Sequence, residues 1–322
     1  MVRLSMKSTK IVLLRPKHEV PASLQARLTA LGKVVYSPNR EELPWSKLVK
    51  LTQNASILGV DPDNLGGFEK AKPMLTKLME KLPYLKGLAL ATTSYGWVDL
   101  GYCAKRKIPV TNVPGYSRES VAEHALAMLL CLAKRILETD RKTQKNQYQL
   151  VMGTELAGKT LGIIGLGSIG SRMAELGLAI GMKAIAYNRT PKKQKGVVMQ
   201  SFNQVIQNAD ALSLHIRDTG KLHHLINRKI IKDMKPGIMI VNTADRELVD
   251  EKTLAQALKS GKVSGYAYEG EDLVNTPLAK IPTAIGLRGF GWYTKEALQN
   301  LMEIWVENIE ALAKNKLQNS VI

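Results

Sequence analysis

Three glycines carry the clearest chemistry in this chain. Gly165, Gly167 and Gly170 lie in the run TLGIIGLGSIG at 160–170, at the G-x-G-x-x-G spacing that holds a dinucleotide pyrophosphate. The first glycine permits a tight turn, the second lets the backbone approach phosphate, and the third lets a helix pack close to a strand. The helix start that follows, at Ser168 and Ile169, offers its N–H groups to an anion. A second apolar strand, 182–187, ends at Tyr187-Asn188-Arg189-Thr190. An NAD-selective site places a carboxylate there for the ribose 2′-hydroxyl. Asn188 and Thr190 carry no negative charge, and Arg189 can pair with a 2′-phosphate, helped by Lys192, Lys193 and Lys195. NADP is therefore expected in preference to NAD.

The surrounding elements must position that turn. Apolar runs alternate with helical patterns throughout, which predicts an α/β architecture with parallel sheets. Strands are expected at 10–14, 33–36, 57–60 and 88–91, with helices at 21–31, 45–51 and 68–81. A long helix is expected from Ser117 to Ile136, opened by the serine as cap and by acidic residues in its first turn. Beyond the nucleotide-binding block, strands are expected at 211–215, 237–241, 263–268 and 284–287. A last helix, from Thr294 to about Lys314, shows an apolar stripe of Leu298, Leu301, Ile304 and Trp305.

Composition narrows the class. The 322 residues suffice for two domains with sizeable cores. The net charge of +18 is spread, at +10 over 1–110, +9 over 111–291 and −1 over 292–322. No Lys/Arg tract interleaved with aromatics appears, so the charge reads as a basic surface for anionic ligands, with no nucleic-acid partner. No apolar run approaches the ~20 residues of a membrane span. Cys103 and Cys131 are the only cysteines, so a disulfide framework is excluded and a cytoplasmic location is expected. His223 and His224 are adjacent but lack companion ligands, so no metal site is expected. His124, on the long helix, reads as a packing or interface residue.

Several segments together resemble the D-2-hydroxyacid dehydrogenase family. These are 88–100, IPVTNVPGY at 108–116, SVAEHALAM at 120–128, the fingerprint at 160–170, 212–226, 234–250, and Gly265 with its flanks. The resemblance implies a Rossmann-type doubly wound domain over 111–291. A second, smaller flavodoxin-like α/β domain would combine 1–110 with 292–322, and the active site would lie between the two. It implies a homodimer formed through the nucleotide-binding domain. It adds His215, Arg217, Thr243 and Ala244 to the cofactor contacts, and Thr93, Ser94, Tyr95 and Gly96 as a substrate loop.

The family transfers a hydride between a nicotinamide and a 2-hydroxy or 2-oxo acid, using an Arg, a His and a Glu. The Arg lies in N-T-A-R-G-x-x-V-D, where this chain reads NTADRELVD at 242–250. Asp245 thus holds the Arg place, and the flanks prevent Arg246 from slipping into it. The His lies in T-P-H-x-G, where this chain reads IGLRGFG at 285–291, with Gly289 in the His place. No histidine follows residue 224. Glu269 stands where an Asp is usual, and Glu271 or Asp272 are alternatives for the Glu.

Three readings follow. In the first, Asp245 draws a cationic imine or amino-carbonyl substrate, since such a carboxylate would be costly if buried alone. Glu269 and Arg288 complete the site, and Tyr268, Tyr266 or Tyr293 acts as a weak proton donor. In the second, the chain is a catalytically silent NAD(P)-binding sensor or partner, with Asp245 bridged to Arg246, Arg288 or Arg217. In the third, it is an ordinary 2-oxo acid reductase with Arg288 on the carboxylate.

Overall fold

The computed structural model describes residues 9–216, 222–271 and 273–322. The chain divides into two compact units. One takes the described residues up to Tyr116 together with Leu298–Ile322, and the other is Ser117–Ala297.

The first unit is built on a parallel five-stranded sheet of β1 (Thr9–Pro16), β2 (Gly32–Ser37), β3 (Ile57–Val60), β4 (Gly87–Leu90) and β5 (Val110–Thr111). Its order, β2-β1-β3-β4-β5, is that of flavodoxin-like folds. The central strands β3 and β4 are buried at every residue, as parallel strands covered on both faces must be. One face packs on α2 (Trp45–Thr52), α3 (Gly67–Glu80) and α4 (Leu100–Lys105). The other packs on α1 (Ala22–Leu31) and on residues of the last helix, α11 (Lys295–Ala313). Trp305 of α11 is fully buried, and its indole N–H donates to the Ala89 carbonyl at 2.9 Å. Arg27 of α1 forks to Glu303 and Glu310, so the two helices are fastened by charge as well as by packing.

The second unit opens with α5 (Arg118–Ala133) and α6 (Ile136–Thr143). A parallel seven-stranded sheet follows, of β6 (Thr160–Ile164), β7 (Lys183–Tyr187), β8 (Val197–Met199), β9 (Ala211–Leu214), β10 (Ile238–Asn242), β11 (Val263–Glu269) and β12 (Ala284–Leu287). The order β12-β11-β10-β9-β6-β7-β8 is the doubly wound Rossmann arrangement with one added strand. It reverses between β6 and β9, where such folds bind ligands outside the strand ends. Helix α7 (Ser168–Ala179) and α5 cover one face, and α8 (Phe202–Asn208), α9 (Arg228–Asp233) and α10 (Glu251–Lys259) the other.

Two expectations are corrected. The long helix ends at Ala133, because Arg135 turns left-handed (φ 55°) and its guanidinium donates to the Ser264 carbonyl at 2.9 Å. Ser117 precedes that helix but makes no side-chain capping bond. Among the described residues, no helix is long and apolar enough to cross a membrane, and no group of three His, Cys, Asp or Glu could hold a metal.

Candidate active site

The glycine turn joins β6 to α7 at the sheet's reversal point. Gly165 has φ 98°, and a Cβ there would lie 2.6 Å from the His215 carbonyl oxygen at the end of β9. A Cβ on Gly170 would lie 2.0 Å from the Gly165 oxygen, so only glycine lets α7 close onto the turn. Gly167 has nothing within 4 Å of its Cβ position. That opening above the N-terminus of a twelve-residue helix fits a pyrophosphate. When bound there, a nicotinamide dinucleotide supplies or accepts a hydride.

Asn188 is committed to the protein. Its side-chain oxygen accepts from the Leu166 N–H at 3.0 Å, and its amide donates to the Thr190 carbonyl at 2.6 Å. It ties the end of β7 to the glycine turn. Arg189 and Thr190 beside it are exposed. The His215 imidazole bonds to Ser213 Oγ at 2.8 Å, and burial holds it down to about 4, so it is neutral at pH 7. Its backbone N–H donates to Ile164, which joins the two strands at the reversal. Arg217 and Asp272 lie outside the described residues.

The loops after β10, β11 and β12 enclose an open pocket of ≈ 990 Å³. It gathers Thr243, Ala244, Asp245, Glu269 and Arg288 from the predicted set, and adds Arg246, Glu247, Glu271, Gly289, Phe290 and Trp292. Asn242 holds its floor. This fully buried side chain donates to the Asp245 carbonyl and the Tyr266 hydroxyl, and accepts from the Ala244 N–H. Thr243 Oγ1 is buried without a hydrogen-bond partner among the described residues, an orphan donor that a bound ligand would satisfy.

Charge in this pocket is unusual for so basic a chain. Four carboxylates, Asp245, Glu247, Glu269 and Glu271, share it with two guanidinium groups, Arg246 and Arg288. Arg246 grips Glu251 with two nitrogens at 2.7–2.9 Å and lies over the Tyr268 ring. That commitment keeps it from serving in place of Asp245. Asp245 itself is exposed, so the burial penalty expected for it does not arise.

Tyr268 must be withdrawn as a proton donor. It is 1% exposed, stacks on Tyr266 with ring centroids 4.9 Å apart, and aims its hydroxyl at Thr276. Tyr266 is equally enclosed, and burial pushes its hydroxyl far above the ordinary tyrosine range. Tyr293 is exposed beside Trp292.

The loop expected to face substrate, 93–96, belongs to the first unit. Thr93 Oγ1 donates to Val113 O, while Asn112 donates to Thr93 O and the Trp97 indole to Ser94 O. These bonds fix the backbone of the loop.

Residues 126–286 match the model of the D-isomer specific 2-hydroxyacid dehydrogenase NAD binding domain. A glyoxylate reductase of Thermococcus litoralis is 32% identical over 262 residues, covering 76% of this chain and 79% of the relative. The chain belongs to the D-isomer specific 2-hydroxyacid dehydrogenases. That places it among NAD(P)-dependent oxidoreductases. A D-lactate dehydrogenase of Aquifex aeolicus, solved with NAD and lactic acid, is 30% identical with a TM-score of 0.76, covering 97% of this chain and 99% of that one. An acyclic imino acid reductase, solved with NADPH and D-Arg, is 25% identical with a TM-score of 0.82, covering 98% and 100%.

Within this dehydrogenase framework, sequence reasoning missed Asn242, Glu251 and the surroundings of Gly291. The signal for Asn242 was available, since a polar residue at the buried end of a strand must be holding something. Glu251 was hidden because its partner, Arg246, lies five residues earlier and across a turn.

Proposed function

We propose that this chain uses NADPH to reduce a small polar substrate bearing an imine, an iminium or an amino-substituted carbonyl, in preference to a plain 2-oxo acid. The observation that carries this reading is the charge of the pocket after β10, β11 and β12. Four carboxylates line it with two guanidinium groups, Arg246 and Arg288, an acidic excess that favours a cation over a second anion. Asp245 in the family's Arg place and Gly289 in its His place fit the same substrate. A guanidinium is suited to a carboxylate, whereas an Asp is suited to the nitrogen cation that forms as an imine becomes ready to accept hydride. Arg288 remains for a substrate carboxylate. Likeness to a protein solved with NADPH and D-Arg agrees with both the cofactor and the cationic substrate.

The test is NADPH consumption with cyclic imines, with 2-oxo acids mixed with amines, and with 2-oxo acids alone. Turnover is expected on the first two, falling ~10–100-fold in Asp245→Ala through loss of a charge-assisted contact. Good turnover of 2-oxo acids alone, improved by Asp245→Ala, would replace this reading with an ordinary 2-oxo acid reductase using Arg288.

A further inference from the structure

Helix α5 delivers a histidine to a pocket carboxylate. Along β11, Gly265, Ala267 and Glu269 alternate onto the face that packs on α5, where a Gly265 Cβ would press on Leu132. Ser120 and His124, four residues apart on α5, share one helix face. The Ser120 hydroxyl donates to the Gly291 carbonyl, and the Gly291 N–H donates to Glu269 Oε1 at 2.7 Å. His124 Nε2 stands 3.5 Å from the same oxygen. Gly291 leaves the pair no slack, because a Cβ there would lie 3.0 Å from His124 Cδ2 and 3.2 Å from each Glu269 oxygen.

Nε2 of His124 is buried and makes no hydrogen bond at normal length among the described residues. A bare nitrogen lone pair facing a carboxylate oxygen is repulsive, and a proton between them makes the contact attractive. The side chains are 25% and 12% exposed, so water relieves little of that demand. Other charged groups of the pocket are Asp245, Arg246 and Glu247 after β10, Glu271 after β11 and Arg288 after β12. Among the described residues, only Glu269 lies within ion-pair distance of His124.

We propose that His124 and Glu269 form a proton-holding pair that serves the reaction in this pocket. Glu269, on the pocket wall, is the catalytic residue, and His124, behind it, is a positioning residue that keeps the proton in reserve. The proposed step starts from the doubly protonated imidazole and the Glu269 carboxylate. The Nε2 proton passes to Glu269, and Glu269 gives a proton to the substrate nitrogen or oxygen as the adjacent carbon receives hydride from reduced nicotinamide. The double bond would become CH–NH or CH–OH with the hydride that a bound reduced nicotinamide would supply, and the neutral imidazole would regain a proton from water. The inference rests on the pocket being the seat of reaction, and holds for a neutral imine or a carbonyl.

Two measurements on the full chain test it. The first is ¹⁵N NMR of histidine side chains with no nucleotide added, assigned through His124→Gln. A protonated, exchange-protected Nε2 signal is expected for His124 and should be lost in Glu269→Gln, which keeps the acceptor for Gly291. An unaltered signal would overturn the pair. The second is the pH profile of kcat with NADPH and the best substrate of the panel. Glu269→Gln is expected to lower kcat ~10²–10⁴-fold with partial rescue by Glu269→Asp, and His124→Gln to change the pH profile with KM within about twofold. A His124→Gln enzyme with lowered Tm and an unshifted profile would make the histidine merely structural. If nothing in the panel turns over, the NMR result still decides the pair, and the failure counts against the proposed reaction alone.

Discussion

At the scale of single residues, the cofactor question turns on Arg189. Asn188 occupies the place of a ribose-binding carboxylate, but both ends of its amide are used to hold the glycine turn. In the proposed use of NADPH, selectivity for the 2′-phosphate falls to Arg189, exposed at the end of β7. Fluorescence titration of Arg189→Ala should show NADPH binding weakened by about tenfold or more, and NADH binding changed little, as loss of one charge-assisted contact implies. Equal weakening of both would remove the 2′-phosphate assignment. Burial raises the Cys103 thiol to about 11, which leaves it a packing residue rather than a nucleophile.

At the scale of elements, the glycine turn is the least forgiving joint. Gly170→Ala would drive a methyl into the Gly165 carbonyl, and neither backbone can move without parting α7 from β6. A loss of ~2–4 kcal/mol in unfolding free energy is expected, together with loss of nucleotide binding. Wild-type affinity in this variant would show that the turn is not the cradle. This joint was legible in the sequence because its spacing and flanking strands are local. Most strands were legible for the same reason, being short apolar runs between turn signals. The end of α5 at Ala133 was not, because Ala133-Lys-Arg-Ile136 contains no breaker and the stop depends on a carbonyl at Ser264. Tyr268 was misplaced through parity. Once β11 extends to Glu269, neighbouring side chains must face opposite ways, so a tyrosine and a glutamate side by side cannot share one wall. In our proposal Asp245 stands in the family's Arg place, a reading that rests on local flanks aligned without a gap. The pairing of His124 with Glu269 joins residues far apart in sequence, so no spacing could disclose it.

At the scale of the whole molecule, a homodimer formed through the nucleotide-binding unit is our proposal. Tyr148, Leu150 and Met152, between α6 and β6, are 94%, 85% and 91% exposed. An apolar run so open calls for a partner surface. Light scattering should give twice the 35.5 kDa chain mass, and the triple change Y148S/L150S/M152S should shift the protein toward monomer. A monomeric wild type would refute the proposal.

The first unit takes its strands from the beginning of the chain and the larger part of α11 from the end. During synthesis, its sheet waits with the Trp305 side of its core uncovered until α11 has been made. The nucleotide-binding unit, uninterrupted in sequence, ends at Ala297, just before the part of α11 that closes the first unit. On the ribosome, then, the half of the protein begun first is finished last. A nascent chain stalled short of α11 would carry an assembled glycine turn beside an apolar sheet face, the form most in need of a chaperone.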